Sequence, residues 1–442
     1  MAEAEAAMMP KVPTWAEAQA MRKRLSLISQ KADDFYMMTK DEKLFLDLTE
    51  AEREAKLALV MDERDFLLRL YVRLSSQMRT PDFSGMTEAD RAVEAEKLRQ
   101  EALEEARCLK MEGDPDEGLR HEGWACIIDF DPKQRGLYYT RCFFVDLATF
   151  DHDKESPLDP MRYTYTATVY ENNTCETCEA VNILSVKIAS LDVGFPIQVY
   201  GTVIARDCLD HKCVYIFRRS RDHCQLINSK NEPLILTGPK RGLVLLDDNY
   251  VEIDLKIKDH QGQDRELSKG IITIRGTAHR LLEKCEVERK SLATRLSTVD
   301  VLYAAVIDAV EATIAIKVLR GNFDGTITAR TSSIQRRIVL YDSKIAGTRT
   351  RDGGFLRLMR YVASVNVNDM LIIEAKTGDG KSVRRIDFTP KGNSFDEDTI
   401  TVGATKVCET LVDSRLAIAW VNYRVDLVIF CELSISCATP FS

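Results

Sequence analysis

The sequence predicts a mainly β protein, an antiparallel β-sandwich built as two packed halves or one enlarged sandwich, preceded by a charged α-helical region. Three observations carry this expectation. The first 112 residues hold long charged stretches with apolar residues at helical intervals. From about residue 123 the apolar period changes from helical to two. Beyond it, short strand-like runs are separated by clusters such as LDDN, DHQGQD, RGNFDG and TGDGK, which supply turn residues.

The elements follow in order. TEAEREAKLALVMDERDFLLRLYVRL, Thr49 to Leu74, lacks Gly and Pro and aligns Leu59, Leu67, Leu70 and Leu74 on one face, with Thr49 as N-cap. RTPDFSG breaks the pattern, and Thr87 with Asp90 three residues on opens a second helix. Ala95, Leu98, Ala102 and Leu109 give that helix a narrow seam, and EGDPDEG, Glu112 to Gly118, ends it. Residues 1–122 are therefore expected to be a helical hairpin or arm, and 123–162 a linker with the first strands. Three readings of the helical region stay open: a hairpin packed on the next domain, a coiled-coil or partner-binding arm, or a solvated tail.

Residues 163–435 read as the β domain, with an internal boundary expected near 276–300. YTYTATVY, ILSVKIASL, IQVYGTVIA, GIITIRG, MLIIEA, DTITV and RVDLVIF all read as strands. YVEIDLKIK alternates most cleanly, with Val251, Ile253, Leu255 and Ile257 facing a core and Glu252, Asp254, Lys256 and Lys258 facing water. VLYAAVIDAVEATIAIKVL is interrupted by Asp308, Glu311 and Lys317 and reads as buried strands rather than a membrane span. EKCEVERKSLATRLS fits strand and helix equally.

Composition narrows the function classes. The chain has 442 residues, 45% hydrophobic and 29% charged, with a formal net charge of -8. Residues 1–125 hold 19 Lys and Arg against 27 Asp and Glu, so the acidic excess lies wholly there. Overall charge opposes nonspecific nucleic-acid binding, which needs a basic surface to release counterions. The N-terminus MAEAEAAMMPKVPTW lacks a secretory pattern, and the 12 cysteines then imply reduced thiols, no disulfides and a cytoplasmic or nuclear setting.

Four motifs are weighed for chemistry. Cys175 and Cys178 in CETC are half of a zinc site, and Cys208, His211, Cys213, His223 and Cys224 are near enough in sequence to supply the rest, but the spacings match no common zinc module. Glu104 and Arg107 in EEARC have the helical spacing of a glycosidase carboxylate–guanidinium pair, but in so charged a helix an ordinary i, i+3 ion pair on a wet face is expected. The run IARDCLDHKCVYIFRRSRDHCQ alternates charges around Tyr215 and Phe217, which read as core, and its acids and bases predict an ion-pair network tying a turn together. GPKRG, Gly238 to Gly242, resembles an anion cradle, but Pro239 removes one N–H and a strand follows, so a turn is expected. Arg206, Arg218, Arg221, Lys240 and Arg241 remain as candidate ligand- or anion-binding residues. No catalytic residue, metal ligand set or cofactor motif is assigned.

The ordered blocks FPIQVYGTVIARDCLDHKCVYIFRRSRDHCQLI, LILTGPKRGL, YVEIDLKIK, ELSKG and DAVEATIAIKV resemble the large domain-of-unknown-function family expanded in grasses, over Tyr163 to Leu433. A similar domain forms the C-terminal part of cereal jasmonate-induced ribosome-inactivating proteins, behind an rRNA N-glycosidase domain. Here a charged helical region stands in that place, so the resemblance implies a plant, stress- or defence-linked β module and carries over no catalytic residue. Two functions are expected from this. One is a non-enzymatic protein-interaction or ligand-binding module with a partner on the N-terminal helices. The other is an RNA- or ribosome-associated factor in translational control.

Overall fold

The computed structural model describes residues 86–435 apart from 113–114, 135, 144, 161–176, 260–261, 277–283, 348–353, 391–393, 404, 413–414 and 423–424, with backbone alone at 112, 394–396 and from 405 onward. The expected helix at Thr49 to Leu74, the strand at Tyr163 to Tyr170 and Cys175 lie outside the described residues. The chain divides into two compact units, Met1–Ala95 with Arg135–Leu137, and Glu96–Gln134 with Tyr138–Ser442.

Helix α1 spans Glu88–Glu112. Its capping box forms as expected: Asp90 N donates to Thr87 Oγ1 at 3.2 Å, and the Thr87 hydroxyl donates to Asp90 at 2.7 Å. The alanine seam is buried at Ala95, Ala102 and Ala106. Beyond it the structure corrects the sequence reading. EGDPDEG ends α1 at Glu112 as expected, but a further, unexpected helix follows: Pro115 takes the first position of α2, Pro115–Ile127, where a missing N–H costs nothing. The two helices approach closely at Gly118, where a Cβ would sit 2.7 Å from Ala106 O, and Lys110 reaches Glu122 at 2.5 Å. Strand character therefore begins at Ile128, with the short strands β1, Ile128–Asp131, and β2, Gly136–Tyr139.

The β region is antiparallel throughout its named strand pairs. One sheet is ordered β5-β4-β8-β9, with β6 also on β4. These are Val214–Arg219 (β5), Ile197–Arg206 (β4), Asn249–Ile257 (β8), Arg265–Ile274 (β9) and Gln225–Ile227 (β6). A second sheet is built on β11, Ser297–Arg320, which pairs with Cys178–Leu191 (β3), Glu286–Thr294 (β10), Val362–Asn366 (β14) and Val425–Ile435 (β20). Leu243–Val244 (β7) extends it beyond β3, and Ser394–Val402 (β17) beyond β20. The third sheet is β13-β12-β15-β16, made of Ile338–Asp342, Gly325–Thr331, Leu371–Thr377 and Val383–Phe388. Thr405–Val412 (β18) and Arg415–Asn422 (β19) form a hairpin.

Two apolar cores result, and β11 lines both. Its odd residues Val299, Val301, Tyr303 and Ala305 enter the core shared with β4, β5, β8 and β9. Its even residues Val306, Val310, Ala312, Ile314 and Ile316 enter the core shared with β12, β13 and β15. Strand alternation makes this possible, since successive side chains leave opposite faces. What read as several buried strands is thus one continuous strand of 24 residues. Asp308 sits inside it at φ 44, a backbone conformation few residues adopt; its carboxylate accepts from Thr177 and its carbonyl from Val367 N, each at 2.9 Å. The ambiguous EKCEVERKSLATRLS becomes β10, a turn at Arg295 with φ 51, and the start of β11.

Candidate functional site

Three of the blocks quoted for the resemblance converge on one end of the β4-β8 sheet. β4 ends in Arg206-Asp207, the chain turns through His211 at φ 53, and β5 returns antiparallel. Arg206 is fully buried and forks onto Glu252 of β8, with Nε to Oε1 at 2.7 Å and Nη2 to Oε2 at 2.9 Å. Its remaining donors reach the carbonyls of His211 and His152 at 2.8 and 2.5 Å. Asp207, also fully buried, receives Arg241 through Nη1 at 2.6 Å and Nη2 at 2.9 Å, and Val244 N at 3.1 Å. Arg241 spends further donors on Gly242 O and on the Ser156 hydroxyl.

Glu252 corrects the expected wet face of β8, since it is only 5% exposed. The loop following β2 lies over it: Cys142 N donates to Oε1 at 2.7 Å and Arg141 Nε to Oε2 at 3.4 Å. Burial pushes this carboxyl up, but the hydrogen bonds and charge of Arg206 outweigh burial and hold it below its ordinary value. The same loop joins the edge of the sheet at Lys154 to Ser156, with Cys213 N to Lys154 O at 2.9 Å and Ser156 N to Cys213 O at 3.0 Å. Local pattern gives no signal for Glu252, His152 or Ser156, whose bonds to Cys142, Arg206 and Arg241 here span 46 to 110 residues.

Burial also settles the chemistry of the sulfur and imidazole groups here. The Cys213 thiol donates to the His152 carbonyl at 3.1 Å, not to its ring, and burial raises its pKa. His152 Nε2 faces Cys142 O at 2.8 Å, so it carries the proton, and burial lowers the ring's pKa. A protonated thiol and a ring whose Nε2–H is spent on a carbonyl do not make a nucleophile–base pair. Cys208 is pushed up to about 11, chiefly by burial, and Cys224 contacts Gln198. Among the described residues no three His, Cys, Asp or Glu side chains are grouped to hold a metal, and Cys108, Cys126, Cys208, Cys213, Cys224 and Cys285 are free thiols. Glu104 and Arg107 form a highly exposed ion pair at 2.9 Å on α1.

The five candidate cations therefore separate. Arg206 and Arg241 are buried structural groups, which corrects their assignment to an open anion site: their donors are consumed inside the protein. Arg221 forks onto Asp264 at 2.6 and 3.1 Å, and Tyr200 donates to the same carboxylate at 2.6 Å, pinning the β8–β9 connection. Arg218 and Lys240 remain together at the surface. Arg218 lies over the Tyr215 ring, 4.4 Å from its centroid, and both cations approach Glu155, at 3.7 and 3.4 Å. Tyr215 is half-buried rather than core. The reason is a bulge: Val203 pairs with Phe217 and Ile204 with Tyr215, so Ile216 is extra and the two aromatics face opposite ways.

A double-core antiparallel β protein whose motif residues neutralise one another internally is the class this geometry defines. The chain belongs to the domain-of-unknown-function family DUF6598, whose family model matches residues 180–411, just over half of the sequence. No curated protein matches it. Among solved structures it is similar to human GIVD cytosolic phospholipase A2 in complex with methyl gamma-linolenyl fluorophosphonate, at 11% identity and a TM-score of 0.21, covering 59% of this chain and 33% of that one. The same enzyme with that inhibitor and terbium chloride gives 11% identity and a TM-score of 0.20 over the same shares. The chain spans about a third of the length of those structures, and likeness at that level carries neither fold nor activity to it. No helix of the described residues is long and apolar enough to cross a membrane.

Proposed function

We propose that this protein is a non-enzymatic binding module, linked to plant stress or defence as the family resemblance implies, whose β surface takes an acidic group of a partner or ligand. The observation that carries this is the Arg218–Tyr215–Lys240 cluster. Stacking on the ring holds the Arg218 guanidinium extended while it stays largely exposed, and Lys240 stands beside it across Glu155. Glu155 is itself nearly half exposed, so a partner's carboxylate or phosphate can replace it at little cost. The N-terminal helical region is proposed as a further partner contact; its α1 exposes Val93 and Met111.

The test is affinity capture with the full-length chain and with Arg218→Glu/Lys240→Glu. Both side chains are at the surface, so the double variant should keep its melting temperature within about 2 °C. It should lose the captured partner by about tenfold or more, as like charges meet across the interface. Undiminished capture by the folded variant would sink the proposal. The RNA- or ribosome-associated reading uses the same cations: salt-sensitive co-sedimentation with ribosomes, abolished by the double variant, would favour it over a protein partner.

A further inference from the structure

Arg360 stands apart from the other buried arginines. It is 2% exposed, and its Nε and Nη2 have no hydrogen-bond partner among the described residues. Arg206 and Arg241, buried to the same degree, each fork onto a carboxylate. The backbone around Arg360 is well anchored between two sheets: Met359 N donates to Leu340 O of β13 at 2.7 Å, and Tyr361 O accepts from Ile314 N of β11 at 2.7 Å. A second orphan lies close by in the register. Thr313 pairs with Val362, two residues along from Arg360, and the Thr313 hydroxyl is likewise buried without a partner among the described residues.

Buried water can satisfy the N–H and O–H groups, but it cannot compensate the charge. Burial lowers the Arg360 pKa to about 10, which still leaves a cation at neutral pH. A guanidinium with two unsatisfied nitrogens in a dry interior is strongly unfavourable unless an anion meets it. We propose that Arg360, with the Thr313 hydroxyl, forms an internal site for a small oxyanion, a carboxylate or phosphate group, where residues 359–362 run alongside β11. The fork of the guanidinium suits two oxygens of such a group, and Thr313 supplies a further donor. This site is separate from the Arg218–Lys240 surface and stands or falls independently of it.

The experiment is thermal melting of the full-length protein at constant ionic strength, exchanging chloride for inorganic phosphate or acetate. Wild type should gain on the order of 4 °C when the anion reaches about 100 times its Kd. In chloride alone, Arg360→Met should melt at or above wild type, because an uncompensated charge has been removed. In phosphate or acetate it should show no gain, so the two melting curves exchange order. Thr313→Val should weaken anion binding about 10-fold by calorimetric titration while leaving Arg360 in place. Phosphate and acetate distinguish the two oxyanion classes, and a gain with either supports the site. A wild type that gains nothing from either anion would overturn the proposal, as would an Arg360→Met variant that gains equally. So would an Arg360→Met variant much less stable than wild type in chloride, since that identifies a carboxylate of the chain itself as the partner.

Discussion

Replacing Arg206 with Met is expected to lower the unfolding free energy by about 3–5 kcal/mol, measured as the urea midpoint of the full-length chain. The loss does not measure the attraction in the Arg206–Glu252 pair alone. Glu252 is left 5% exposed with its charge unmatched by the two forked bonds at 2.7 and 2.9 Å. Arg206→Met/Glu252→Leu should recover a good part of it, because an apolar pair has no charge to desolvate. Recovery should stop short of wild type by about 1–3 kcal/mol, since Cys142 N loses its acceptor at 2.7 Å. The pair also gives a pH signature. The folded Glu252 carboxyl is held below its ordinary value, so its contribution is complete above the unfolded value of about 4.3. It is lost as pH falls through the depressed folded value, so the wild-type urea midpoint should drop below about pH 4. A double variant whose midpoint falls as far as that of Arg206→Met alone would count against this account.

That clasp shows where sequence reasoning succeeded and where it had no purchase. The alternation of YVEIDLKIK correctly buried Val251, Ile253, Leu255 and Ile257, because those side chains meet a core made by neighbouring strands. It failed at Glu252 because the covering loop arrives from Cys142, more than a hundred residues earlier. The charge run from Arg206 to Asp222 predicts an ion-pair network tying a turn together. Its main partners lie outside it: Glu252 for Arg206, Arg241 for Asp207, Asp264 for Arg221. Residue types told that ion pairs would form; only the antiparallel return of β8 and the crossing of the GPKRG segment decide which. Tyr215 was misplaced for a different reason. A bulge inserts one residue and inverts facing, and nothing in VYIFRR marks it. GPKRG bends at Lys240 and Arg241, and its two cations part company: Lys240 bonds Ser156 O near the surface, while Arg241 is buried on Asp207.

Gly238→Ala should be among the most damaging single substitutions in the chain, at about 3 kcal/mol or more. The cause is a close approach of two backbones. A Cβ on Gly238 would sit 1.8 Å from the Tyr215 carbonyl oxygen, and a main-chain atom within a sheet cannot swing aside as a side chain can. Thr237 N and Gly238 N both donate to Ile216 O, at 3.0 and 3.3 Å, so the segment is held against β5 at that point. Moving it outward would draw Arg241 off Asp207 and Lys240 away from Arg218, coupling the buried clasp to the surface cluster. Gly194→Ala is the control. That glycine has φ +80 and nothing within 4 Å, so alanine there meets only the backbone preference, about 1–2 kcal/mol. Urea unfolding of both variants separates the two causes. Equal losses would mean that Gly238 is only conformationally demanding, and that the packing of GPKRG against β5 does not hold the clasp.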